Sequence, residues 1–182
     1  MTSDPFSPKQ VEFILNSKAK YNLAHGSVRS GKTVATLFRF LKEAVHSPGS
    51  SIYIIGFSLT TIYRNVISLL FDAEELKMFA PFANWSKGDH TLLFGDKKIR
   101  CLGAGDEGAL GIIQGLTIDL CYCDEMTLYP DNVIDMIDTR LSREHSRLFA
   151  SMNPKQPDHK LKKWIDRSSE GDPLYYSLPF RS

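Results

Sequence analysis

The segment Gly26-Ser27-Val28-Arg29-Ser30-Gly31-Lys32-Thr33 constrains this chain more than any other. It fits the pattern G-x-x-x-x-G-K-[ST] at every fixed position, between a short apolar run (21–25) and a stretch with helical spacing (33–46). Glycines at both ends let the backbone curl and turn its N–H groups inward. A helix that starts there aims its positive end at the same point. Together these features make a cradle for phosphate. Within it, Lys32 is placed to bridge the β- and γ-phosphates of a nucleotide, and Thr33 to hold Mg²⁺ through its hydroxyl.

About ninety residues further on, Leu120-Cys121-Tyr122-Cys123 leads into Asp124-Glu125. An apolar strand delivers a carboxylate to its carboxyl end, where α/β sheets bind ligands. Asp124 would complete the Mg²⁺ shell, and Glu125 would polarise water for attack on the γ-phosphate. Cys121 and Cys123 lie two apart on that strand, hence on one face, and read as small core hydrophobes. With Cys101 they make an odd, unpatterned set of three, which suits a reducing interior. Asp131, Asp135 and Asp138 share a helix face and read as a solvated row.

The remaining pattern predicts alternating strands and helices. Residues 1–6 are a lead-in. Ser7-Pro8-Lys9-Gln10 starts a helix to about residue 17, with Ser7 as cap and Gln10 closing a capping box. Apolar runs at 52–57, 118–123, 147–152 and 174–178 read as strands, and 90–94 with 98–102 as a hairpin around Gly95-Asp96. Helices are expected over 60–70 (with a short one to 79), 132–141 and 159–167. The glycine-rich stretch 103–115 is expected to be a flexible connection. The fold class is therefore α/β: a three-layer αβα P-loop domain of the RecA-like, additional-strand type, with a mostly parallel sheet and a β-hairpin insertion. In this reading Glu125 lies on the strand next to the phosphate loop's strand, and residues 1–182 form one domain.

Net charge is +1, from 22 basic and 21 acidic residues, which argues for a local, transient grip on nucleic acid rather than a static coat. No apolar run approaches the ~18 residues of a membrane span, and no signal pattern opens the chain. The protein reads as cytosolic, with no membrane partner.

These residues resemble the large terminase family of tailed bacteriophages, most closely its phage-PBSX-like branch. The resemblance runs from Ser7-Pro8-Lys9-Gln10 through the phosphate loop, Gln114-Gly115-Leu116 and Cys123-Asp124-Glu125 to Ser151-Met152-Asn153-Pro154. It implies an ATP- and Mg²⁺-dependent motor that translocates double-stranded DNA into a procapsid in the host cytoplasm. The implied partners are a portal protein, a small terminase subunit and further copies of the chain in a ring. By the same resemblance Gln10 contacts adenine, Arg29 senses the γ-phosphate within its own subunit, and Ser151 to Pro154 couples hydrolysis to movement. Asn153 is the implied contact to γ-phosphate or attacking water. Arg140 and Arg143 are candidates for an arginine acting in a neighbouring subunit, and Lys155, Lys160, Lys162 and Lys163 for facing DNA. The family's ribonuclease-H-like nuclease domain is not expected within these residues, so neither is DNA cleavage. Two other readings stay open: a helicase-type DNA-dependent ATPase, and a nucleotide-binding assembly module without turnover.

Overall fold

Ser7 opens the first helix, α1 (Pro8–Asn16), as its sequence dictates: its hydroxyl accepts the Gln10 N–H, and the Gln10 side chain returns to the Ser7 N–H. The computed structural model describes residues 5–153 and 159–181. Strand β1 (Tyr21–Gly26) runs into the glycine loop and out along α2 (Lys32–His46). Strand β2 (Ile52–Gly56) is buried along its whole length, as its apolar run requires. The helix expected over 60–70 is a composite of α3 (Leu59–Ile62), a π-helical turn (Tyr63–Ile67) and α4 (Ser68–Asp72).

Strand β3 (Ala83–Ser86), short and only half-covered, carried no clear sequence signal. Strands β4 (Thr91–Phe94) and β5 (Lys97–Gly103) form the expected hairpin, with Gly95 in the left-handed conformation that its turn needs (φ 59°). The expected flexible connection over 103–115 is corrected: it contains helix α5 (Ala109–Gln114). Asp106 caps its approach through the Gly108 N–H (2.8 Å), and Ala109 and Ile113, one turn apart, are buried. Burial of that pair outweighs the helix-weakening effect of the surrounding glycines.

The chain then alternates through β6 (Leu120–Cys123), α6 (Asp131–Arg140), β7 (Arg147–Met152), α7 (Lys160–Ser169) and β8 (Tyr175–Phe180). The eight strands form one sheet in the order β3-β4-β5-β2-β6-β7-β1-β8. All neighbours from β5 to β8 are parallel; β3 and β4 add an antiparallel edge. The strand that carries Glu125 is not beside β1. β7 lies between them, and its Ala150 registers with Cys123 on one side and Leu23 on the other. Strands apolar on both faces carry no record of their neighbours, so chain order was a poor guide here.

Alternate residues of each strand feed two cores. Phe13, Phe40, Ile54, Ile62, Tyr122 and Phe149 belong to one, under α1, α2 and the composite helix. Leu23, Ile55, Cys121, Cys123, Ile137 and Trp164 belong to the other, under α5, α6 and α7. The three cysteines are buried and form no disulfide, and burial pushes the Cys101 thiol up to about 12, which keeps it protonated. Among the described residues no helix is long and apolar enough to cross a membrane.

Candidate active site

Gly26 ends β1 at φ 131°, and a Cβ there would stand 1.9 Å from the Phe180 carbonyl oxygen. That same oxygen accepts the Ser27 N–H at 3.1 Å, so the start of the loop is fastened to β8. Arg29 (φ 62°) and Gly31 (φ 79°) take left-handed backbone, which curls the loop before α2 begins. Lys32 is only 3% exposed; its ammonium donates to the Ser27 carbonyl (3.0 Å) and lies 3.8 Å from a carboxylate oxygen of Glu125.

The two acidic residues sit where β6 ends. Asp124 is 3% exposed, and its Oδ1 accepts the hydroxyls of Tyr122 (2.9 Å) and Ser151 (3.1 Å). Its Oδ2 lies 3.4 Å from the Asn65 amide nitrogen. Ser151 in turn accepts the backbone N–H of Glu125 at 3.0 Å. Glu125 is left-handed (φ 47°), an uncommon state for a non-glycine residue and one that this bond helps to hold. Burial, then the Asp124 charge, pushes the Tyr122 phenol well above its ordinary value, so it remains a donor. The Tyr129 hydroxyl lies 2.8 Å from both the Ile55 and Asp124 carbonyl oxygens, tying β2 to β6 beneath the site.

A cleft of about 500 Å³ opens above these groups. One wall is the loop from Val28 to Val34, the floor is Asp124 and Glu125, and Arg64, Asn65, Ser68, Leu69 and Asp72 form the facing wall. Its volume suits a small ligand. The Thr33 hydroxyl and the cleft-side oxygen of Asp124 are hard oxygen donors, few in number, which fits Mg²⁺ arriving with phosphate and water ligands. Among the described residues no cluster of three or more His, Cys, Asp or Glu side chains makes a self-sufficient metal cage.

Other residues singled out in the sequence stand further off. Gln10 lies behind the loop, 5% exposed, accepting the Ser7 N–H (2.8 Å) and donating to the Gly31 carbonyl (3.2 Å). Asn153 follows β7 and donates its N–H to the Thr127 hydroxyl at 3.5 Å; it is not among the cleft-lining residues. Arg140 binds the Gln114 carbonyl (3.0 Å) and Arg143 the buried Asp119 (2.8 Å), at the end of β6 opposite Asp124. Neither lines this chain's own cleft. Asp138 accepts the Tyr21 hydroxyl at 2.5 Å and Asp135 pairs with Lys160, so the acidic row is partly engaged rather than simply solvated. Lys162 pairs with Asp166, Lys163 is exposed, and Lys155 and Pro154 lie outside the described residues.

Sequence reasoning assigned no role to Tyr122, Arg64 or Asn65, and it missed the bond from Ser151 to Asp124. A hydroxyl two residues before Asp124 on the same strand face was a readable signal for Tyr122. Nothing local marks Arg64 or Asn65, because their roles depend on where a distant helix packs.

The family profile described as terminase large subunit, T4likevirus-type, N-terminal, matches residues 23–178. This chain belongs to that family. As a terminase domain it superposes on the large terminase of a thermophilic bacteriophage with a TM-score of 0.77 at 25% identity, covering 98% of this chain and 46% of that one. It thus spans about half the length of that protein, which has also been seen in complex with ADP and with ATP-gamma-S. The ATPase domain of the Thermus phage P74-26 large terminase (TM-score 0.65, 19% identity, 97% of this chain and 80% of that one) shares the fold. So does the HK97 bacteriophage large terminase (0.67, 18%, 97% and 39%). No curated protein matches the sequence. The RecA-like, three-layer fold of terminase ATPase domains is therefore the fold of this terminase domain.

Proposed function

We propose that this chain hydrolyses ATP to drive double-stranded DNA into a phage procapsid. One observation carries the reading: a loop lysine and two strand-end carboxylates meet in a single cleft, with Lys32 Nζ 3.8 Å from Glu125. In this reading the loop amides and Lys32 bind the phosphates of ATP, the ammonium leaving the Ser27 carbonyl for the β- and γ-oxygens. Thr33 and Asp124 hold Mg²⁺, which when bound neutralises charge on those oxygens. Tyr122 and Ser151 anchor one oxygen of the Asp124 carboxylate. Glu125 polarises the attacking water, its backbone held by Ser151. Arg29, exposed on the loop, stabilises charge that spreads onto the γ-phosphoryl oxygens.

Gln10 joins the nucleotide site from behind the loop; contact with adenine exchanges one of its two present bonds for the base. Asn153 acts in coupling, one residue beyond the strand that separates Glu125 from the loop. DNA, the portal, the small subunit and neighbouring copies in a ring are the partners, with Arg140 or Arg143 reaching an adjacent subunit's cleft. The phage-PBSX-like branch is the part of the family that this reading favours. The ADP and ATP-gamma-S complexes of the thermophilic phage's large terminase support the nucleotide.

The test is steady-state phosphate release with Mg-ATP, for wild type and Glu125→Ala, across protein concentration. Turnover that rises faster than concentration, and is lost in Glu125→Ala while nucleotide still binds, is the expected result. Equal nucleotide binding by both proteins with no turnover at any concentration, DNA included, would reject hydrolysis by this chain and favour a nucleotide-binding assembly module.

A further inference from the structure

The cleft wall opposite the phosphate loop is formed by the composite helix, and the π-helical turn falls where that helix passes Asp124. In this turn the Ser68 N–H reaches back to the Tyr63 carbonyl, one residue further than an α-helix allows. π-turns inside α-helices occur frequently at functional sites. The inner face of the helix is committed to packing, with Ile62, Val66, Ile67 and Leu70 all buried. The cleft face carries Arg64 and Asn65. Arg64 Nε donates to Asn65 Oδ1 at 3.3 Å, and Asn65 Nδ2 donates to Asp124 Oδ2 at 3.4 Å. A chain of hydrogen bonds thus runs from an exposed guanidinium to the cleft-side oxygen of the buried carboxylate.

We propose that Asn65 is a positioning residue for Asp124, and that through it Arg64 is held at the cleft as a second in-subunit cation for the terminal phosphate of a nucleoside triphosphate. The inference rests on the nucleotide and metal reading above. The chemistry of each partner suits its part. Tyr122 and Ser151 hold Asp124 by Oδ1 alone, and a carboxylate so held still rotates about that edge. A neutral amide on Oδ2 fixes the carboxylate plane without displacing a cation, as a charged donor would, and leaves another lone pair of that oxygen for metal. Arg64 spends Nε on the amide oxygen, and its two Nη groups carry the remaining donors, in a fork that matches phosphate oxygens. Arg29 on the loop and Arg64 on the helix then face the ligand from opposite walls.

The experiment measures Mn²⁺ affinity by electron paramagnetic resonance in the presence of ATP-gamma-S, and metal-free affinities for ATP-gamma-S and ADP by calorimetry. Wild type, Asn65→Ala and Arg64→Ala are compared in the 182-residue protein. Asn65→Ala is expected to weaken Mn²⁺ about tenfold, within the range for partners of metal ligands, and to weaken metal-free ATP-gamma-S as Arg64 loses its anchor, with metal-free ADP affinity unchanged within about twofold. Arg64→Ala is expected to weaken ATP-gamma-S about tenfold or more and ADP little, as loss of a charge-assisted bond to the terminal phosphate requires. Arg64 is exposed, so that variant keeps the test decisive even where Asn65→Ala folds poorly. Unchanged Mn²⁺ affinity in a folded Asn65→Ala protein overturns the proposal. Equal losses for ATP-gamma-S and ADP in Arg64→Ala, or no loss for either, also overturn it. No nucleotide binding by wild type removes the functional reading itself, and this inference with it.

Discussion

Between the two acidic residues of the cleft stands a single hydroxyl, that of Ser151, which donates to Asp124 and accepts the Glu125 N–H. Alanine there removes the bond to the part-buried Glu125 N–H and one of the two hydroxyls that anchor Asp124 Oδ1. Ser151→Ala is expected to cost about 1–3 kcal/mol in urea unfolding and, on the proposed reading, about tenfold or more in phosphate release. Asp119 gives a second residue-scale prediction, at the opposite end of β6. Burial alone would raise its carboxyl, but the Ser51 N–H, His145 and Arg143 together hold it below the usual carboxylate range. A depressed folded value means that the ionised form stabilises the fold above the unfolded value of about 4, and that this stability is lost as pH falls through the folded value. Asp119→Asn should therefore be less stable than wild type at pH 7, by about 1.5–3 kcal/mol. Denaturant midpoints taken stepwise to pH 3 should show the gap narrowing. Lys32, Thr33, Asp124 and Glu125 were legible in the sequence because phosphate chemistry fixes their types and spacing. The bonds of Ser151 and Asn65 to Asp124 were not, since each reaches it from a strand or helix that only the fold brings alongside; Tyr122, two residues before Asp124 on its own strand, left a signal that could have been read.

At the scale of elements, α1 shows one side chain serving two structures. Gln10 closes the capping box of its own helix and also donates to the Gly31 carbonyl, which joins α1 to the phosphate loop. Gln10→Ala removes both. We expect a loss of about 1–2 kcal/mol by chemical denaturation, as for a lost cap and one further bond, and a weaker nucleotide affinity in the same protein. Gln10→Glu keeps the acceptor for the Ser7 N–H but loses the donor to Gly31, so it should recover most of the stability and little of the affinity. The cap itself was written in Ser7-Pro8-Lys9-Gln10. The second bond was not, because it spans twenty-one positions of sequence. Likewise α5 hid among glycines, since its stability comes from Ala109 and Ile113 packing beneath α6 rather than from local preference.

For the molecule as a whole, the alternation of strands and helices gave the α/β class, while the lateral order of strands had to come from the structure. That order puts β7 between the acidic strand and the loop strand, and β8 last among the described strands, beside β1. Gly26 is where β8 meets the loop. Gly26→Ala would press a methyl carbon into the Phe180 carbonyl, 1.9 Å away, at a backbone angle that alanine resists. The expected cost is about 1–3 kcal/mol or more, with the loop lifted from β8. A lower melting midpoint and loss of ATP-gamma-S binding should appear together. β8 also has a mechanical meaning. Its ladder with β1 runs from Tyr175 to Phe180 and ends on the Ser27 N–H. A pull along β8 loads that whole ladder in shear, and the far end of the lever is the phosphate cradle. A pull sideways on β8 peels the bonds one by one. A domain with this wiring is stiff to tension in one direction and yielding in another, so the direction of an applied load decides whether it is felt at the nucleotide.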